Sequence, residues 1–262
     1  MAVRIGAVGY LNARPLTWAL DRDPGRWQMR YDLPAVCSAL LQAGDVDLGL
    51  TPSIEFLQRP DYRLVPGVGI GSRGPIASVA LYSSGPVEAI TRIALDTSSR
   101  TSVALIRVLC RHWFRIDPEF VQHGPDLAGM IRAHGAALLI GDPAFEADHR
   151  ALGVIKTDLG EAWAAMTGLP FIYAAWTGRP GAIGPAEVEA LQAAQAEGVA
   201  NVDAIALEYG GADGARVARA ARYLRDNVRY GLGAAEAEGL QRFLDLAADL
   251  GVAPGRRRLE FF

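Results

Sequence analysis

Lysine is almost missing from this chain: Lys156 is the only one among 26 basic residues, and the rest are arginine. Arginine suits bidentate recognition of carboxylate or phosphate, although a GC-rich genome gives the same bias through its codons. Cysteine is scarce as well. Cys37 and Cys110 sit in apolar stretches without CxxC spacing, which points to buried, reduced thiols and a cytoplasmic setting rather than a disulfide framework. No window of about 18 apolar residues occurs, so no membrane-crossing helix is expected. A secreted solute receptor would begin with a basic stretch and an apolar run of roughly 7 to 15 residues. Here Val3-Arg4-Ile5-Gly6-Ala7-Val8-Gly9 passes directly into a buried-strand pattern. Neither charge sign dominates: 26 basic and 29 acidic residues leave a net −3, with no electrostatic footprint for nucleic acid or an anionic membrane. There is no GxxxxGK[ST] loop for nucleotide phosphates and no GxSxG elbow for a serine nucleophile.

What remains is a chain that can build a large core. Half of its 262 residues are apolar and 21% are charged, enough for one large α/β domain or two lobes. Short apolar runs alternate with helical periodicity, which predicts βαβ units around a mostly parallel sheet. Strands are expected at 3–8, 28–32, 46–50, 63–70, 78–83, 93–95, 119–122, 136–140 and 170–177. Helices are expected at 35–43, 53–58, 101–114, 126–134 and 158–167. From Pro185 onward the signal is almost wholly helical: Val217, Ala221, Leu224 and Val228 keep one face apolar, and Leu240, Phe243, Leu244, Ala247 and Leu250 repeat the pattern. Ser83-Ser84-Gly85-Pro86 and Thr177-Gly178-Arg179-Pro180-Gly181 are the soft places. If the chain crosses there, 87–175 is a second lobe inserted into a first lobe of 1–86 plus 176–262, with a ligand cleft between them.

Candidate ligand groups cluster at strand ends. Gly9-Tyr10-Leu11-Asn12-Ala13-Arg14-Pro15 follows the first strand, and the Asn12 amide offers both an acceptor and a donor; Asn12 could equally cap the next helix. Thr51-Pro52-Ser53 opens a helix after a strand. Asp96-Thr97-Ser98-Ser99-Arg100-Thr101-Ser102 does so with five hydroxyls and a guanidinium. Two hydroxyl-rich junctions, one per expected lobe, suggest a clamp on a ligand with two carboxylates. Gly69-Ile70-Gly71-Ser72-Arg73-Gly74 satisfies GxGxxG but leads into another strand, so it predicts a loop presenting Ser72 and Arg73 rather than a dinucleotide site. Asp142, after the apolar run Ala136–Ile140, either caps a helix or faces the ligand. His112, His123 and His134 recur every 11 residues, but Gly124-Pro125 and Gly135 break any common helix, so no metal site is expected.

Five ordered blocks are specific in combination: IGAVGYLNARPL from Ile5, SRGPIASVALYS from Ser72, LDTSSRTSVALIRVL from Leu95, LLIGDPAF from Leu138 and DLGEAWAAMTGLPFIYAAW from Asp158. Together they resemble the chorismate dehydratase family of the futalosine route to menaquinone. The resemblance implies an α/β, two-lobe, type II periplasmic-binding-protein-like fold with a helical C-terminal region. It implies a cytoplasmic hydro-lyase that converts chorismate to 3-[(1-carboxyvinyl)oxy]benzoate with no metal or organic cofactor. The sister family, dihydroxynaphthoate synthase, is expected to carry a histidine where this chain reads Ile140-Gly141-Asp142. On this reading Asn12 with a cleft serine, Ser78 or Ser72, orients the enolpyruvyl group, and the substrate's own carboxylate takes the proton. Ser99, Thr101 and Ser102 hold a carboxylate, Thr51 and Ser53 support from the other lobe, and Tyr10 and Asp142 complete the binding set. Arg14, Arg73 and Arg100 stay open as carboxylate partners. The rival from another class is a non-catalytic receptor for a small anion.

Overall fold

The computed structural model describes residues 2–262. Its strands are β1 (Val3–Val8), β2 (Trp27–Asp32), β3 (Leu48–Pro52), β4 (Arg63–Ser72), β5 (Val79–Ser83), β6 (Arg92–Asp96), β7 (Glu119–His123), β8 (Ala136–Ile140), β9 (Ile155–Asp158), β10 (Phe171–Gly178) and β11 (Arg229–Leu232). Its α-helices are α1 (Arg14–Thr17), α2 (Pro34–Ala43), α3 (Arg100–Leu109), α4 (Leu127–His134), α5 (Gly141–Glu146), α6 (Leu159–Thr167), α7 (Pro185–Ala200), α8 (Val202–Gly210), α9 (Gly214–Asp226) and α10 (Ala234–Asp249). Two of the expected helices are altered. Residues 53–58 form a 3-10 helix, and α3 ends at Leu109 in a π turn over Cys110–Phe114.

Two sheets form, in the orders β11-β4-β10-β3-β1-β2 and β7-β6-β8-β5-β9. The expectation of a mostly parallel sheet is corrected, because both sheets are mixed. β1 is parallel to β2 and β3, and β6 is parallel to β7 and β8. β10 opposes β3 and β4, while β5 opposes β8 and β9. β5 and β10 are the first strands the chain lays down after passing from one sheet to the other. They start at the cleft, so they run against neighbours whose carboxyl ends point to it.

The same two strands displace the expected lobe boundaries. β5 pairs inside the second sheet and β10 inside the first, so the chain crosses within 73–78 and 159–170 rather than after residues 86 and 175. Ser83–Pro86 is an internal turn of the second sheet, where Ser84 N–H donates to the Gly135 carbonyl at 2.9 Å. Gly and Pro mark a turn there, not a passage between units. Two four-residue strands also escaped the sequence reading. β9 lies at the edge of the second sheet, and β11 lies at the edge of the first within the stretch expected to be helical. Four residues are too few to establish a period, although the alternating burial of β11 is that of a strand.

Alternation along the strands builds the core. Val79 and Leu81 of β5, with Ala136, Leu138 and Ile140 of β8, join the large apolar cluster that continues under the first sheet. Ala80, Tyr82, Ala137 and Leu139 face the other way, onto Met130 of α4. β8 is covered on both faces, as its unbroken apolar run predicts. Phe171 of β10 stands edge-on to Trp163 of α6 at 5.2 Å and to Phe243 of α10 at 4.9 Å, locking the C-terminal helices to the strands that frame the cleft.

Candidate active site

Where the strand ends of the two sheets meet lies a small cleft, with about 460 Å³ of atom-free space counted together with its open mouth. Val8, Tyr10 and Asn12 reach it from the end of β1, Pro34 and Pro52 from the ends of α2 and β3, and Ile70, Tyr173 and Ala174 from β4 and β10. The second sheet supplies Val79, Ile140, Gly141, Ser99 and Ser102. The floor is apolar, and the polar groups are an amide, two phenols and two hydroxyls.

The N-terminus of α3 opens onto this space. Ser99 caps the helix by accepting from Ser102 N–H, and the Ser102 hydroxyl donates to Ser99 Oγ at 3.3 Å. A helix start with free N–H groups and hydroxyls favours an anion. Ten residues of α3 lie behind it, because Val103, Leu105, Ile106 and Leu109 keep the helix packed against the core.

Opposite, Gly141 takes φ +65, and a Cβ there would lie 2.7 Å from the Tyr10 ring. Only glycine permits that approach. Next to Gly141, Asp142 Oδ1 accepts the Leu11 N–H at 2.9 Å. Asp142 is thus not a helix cap, since α5 starts without a side-chain cap; it ties the end of β8 to the end of β1. Burial pushes the Asp142 carboxyl up, while the Leu11 N–H and Arg14 pull it down.

Placement divides the expected residues. Tyr10, Asn12, Ser99 and Ser102 face the cleft. Thr51, Ser53, Ser72 and Thr101 do not line it: each hydroxyl is buried and bonded to a group on another element, whereas Ser99 and Ser102 bond to each other at the cleft edge. Thr51 Oγ1 donates to Thr177 Oγ1 at 3.1 Å, Ser53 Oγ to the Ile172 carbonyl at 2.7 Å, and Thr101 Oγ1 accepts Ile54 N–H at 3.1 Å. Ser72 Oγ pairs with Tyr173 Oη at 3.3 Å. Ser78 is buried one residue before cleft-lining Val79, its Oγ 2.7 Å from Tyr223 Oη. Of the arginines, Arg73 is bound to Glu236 and Arg100 to buried Glu55, so both are occupied within the protein; Arg14 stacks 5.3 Å from the Tyr209 ring centre.

Tyr173 and Tyr223 were missed by sequence reasoning. Tyr173 lies inside a strand that reads as pure core, and Tyr223 lies on the apolar face of α9. A tyrosine on a buried face is a usable signal, because its hydroxyl needs a partner. Burial raises the pKa of Tyr10, Tyr173 and Tyr223, so all three are neutral donors near pH 7. No carboxylate, histidine, lysine or cysteine is among the described residues lining the cleft.

Comparison with solved structures fixes the class. The aliphatic sulphonate binding protein SsuA of Escherichia coli superposes with a TM-score of 0.69 at 20% identity over 97% of this chain and 88% of that one. Protein AF1704 of Archaeoglobus fulgidus gives 0.75 at 17% identity over 96% and 98%. The CA3427 product of Candida albicans, described as having the generic periplasmic binding protein fold, gives 0.56 at 10% identity over 98% and 92%. This is therefore a two-lobed α/β protein of periplasmic-binding-protein-like fold.

More specifically, the chain belongs to the menaquinone biosynthesis family, whose model matches residues 3–249. It is 30% identical to the chorismate dehydratase of Thermus thermophilus, over 95% of this chain and 96% of the relative. No helix among the described residues is long and apolar enough to cross a membrane.

Proposed function

We propose that this protein is a chorismate dehydratase, a hydro-lyase of menaquinone biosynthesis working in the cytoplasm. It takes chorismate to 3-[(1-carboxyvinyl)oxy]benzoate and water. The observation that carries this reading is a cleft lined by neutral hydrogen-bond donors in a chain 30% identical to a chorismate dehydratase along nearly its whole length.

The chemistry suits such a site. The C–H bond at the ether carbon breaks, the ring hydroxyl leaves with a proton as water, and the ring becomes aromatic. Aromatisation drives the step, so fixing the two carboxylates and directing the leaving group are the main demands. The α3 N–H groups with Ser99 and Ser102 hold one carboxylate; Asn12 orients the enolpyruvyl arm. Since no ionised base lines the cleft, the enolpyruvyl carboxylate itself receives the proton. Apolar walls strengthen every hydrogen bond made inside.

Incubation of the protein with chorismate tests this. The aromatic enol ether should accumulate, seen by absorbance and by a mass lower by one water. A protein that binds chorismate unchanged is a receptor, the outcome that overturns the reading.

A further inference from the structure

We infer that Tyr223, supplied by helix α9, is a positioning residue that holds Asn12 and Ser78 in a single productive arrangement; this rests on the dehydratase reading. Its hydroxyl lies 2.7 Å from Ser78 Oγ, and the Asn12 side chain sits near enough to that hydroxyl to draw its pKa down against the effect of burial. The phenol is buried, as is Ser78. Asn12 alone of the three lines the cleft.

The segment that presents Ser78 is held under strain. Ala77 has φ +66, outside the region an alanine normally adopts. Its N–H donates to Asp158 Oδ2 at 2.6 Å, and its carbonyl accepts from Nζ of Lys156 at 2.6 Å, the one lysine of the chain. The Ser78 carbonyl in turn accepts Gly141 N–H at 2.8 Å. Backbone on both sides of Ser78 is therefore clamped, and its side chain is clamped by Tyr223. Such over-determination of a strained peptide belongs to sites where orientation matters.

Donor counting gives Tyr223 its role. A neutral phenol has one proton, a serine hydroxyl one, and an asparagine amide two N–H donors. With Tyr223 bonded to Ser78 and the Asn12 amide beside the same phenol, Asn12 keeps at least one N–H for the ligand whichever group donates, and the phenol limits how the amide can turn. Without the hydroxyl, the amide is free to rotate.

The test is Tyr223→Phe, which keeps the ring and removes the oxygen. With chorismate, kcat should fall roughly 10- to 100-fold while KM stays within about threefold, since alignment rather than affinity is lost. Ser78→Ala breaks the same bond from the other end, should give the same split, and serves if the phenylalanine variant does not fold. In the Ser78→Ala background, adding Tyr223→Phe should cost less than about twofold more. An unchanged kcat, a loss confined to KM, or fully multiplicative losses overturns the inference. A wild-type protein that leaves chorismate untouched overturns the dehydratase reading instead, so the two failures are told apart by the wild-type control.

Discussion

Asp142 and Leu11 meet across the cleft: a carboxylate at the end of β8 accepts, at 2.9 Å, the backbone N–H that follows β1. This bond joins the two sheets beside Tyr10 and Asn12. Asp142→Ala leaves a part-buried N–H without its acceptor, a cost of about 1–3 kcal/mol. The melting temperature should fall by several degrees and KM for chorismate should rise. Asp142→Asn keeps an acceptor oxygen and should stay close to wild type in both thermal denaturation and steady-state kinetics.

Gly141→Ala probes the contact on the other side of the same strand end. The added Cβ meets the Tyr10 ring at 2.7 Å, at a φ of +65. A strained backbone costs on the order of 1–3 kcal/mol, and the displaced ring should lower kcat/KM about tenfold or more. Near-wild-type turnover by this variant would mean that Tyr10 has no fixed place in the site.

Thr101 and Ser102 are neighbours with opposite assignments. Thr101 is buried and accepts Ile54 N–H, whereas Ser102 lines the cleft. Thr101→Val should lose about 1–3 kcal/mol of stability and leave KM within about twofold. Ser102→Ala should raise KM and change the melting temperature little. The reverse pattern in paired melting and kinetic measurements would restore Thr101 to the ligand.

Glu55 governs part of the acid response. Burial raises its carboxyl above the ordinary 4.5, with Arg100 and Gln42 pulling it back. The folded state therefore holds this proton more firmly than the unfolded chain. That contribution is fully present below the unfolded value and is lost as pH rises through the folded one. Glu55→Gln removes the dependence, so its melting temperature relative to wild type should climb as pH rises above the ordinary 4.5. A flat or falling difference in calorimetry would contradict the raised carboxyl.

How far the sequence could be read depended on the range of the interaction. β1, β8 and the α3 junction are local: an apolar run, or a cluster of hydroxyls ahead of an amphipathic helix, settles each from neighbouring residues. Asn12, Tyr10, Ser99 and Ser102 were legible because a strand's carboxyl end followed by polar residues faces a cleft in any such fold. The sheet partners of β5 and β10 were not legible, since strand direction depends on which sheet the chain enters and from which side. Thr51 and Ser99 look alike in one dimension. One hydroxyl is buried against Thr177 while the other opens to the cleft, because residues far away in the chain use up the first.

From the sequence came, through its resemblance to a known family, the class of protein, the expected reaction and the segments that carry it, because the five ordered blocks are local stretches that can be matched before any packing is known. Tertiary structure decided which hydroxyls are spent inside the protein, that Asp142 ties the lobes rather than capping a helix, and that Tyr223 reaches Ser78 from 145 positions further along the chain. Those outcomes depend on hydrogen bonds between groups distant in sequence, and such bonds exist only once packing has brought both partners together.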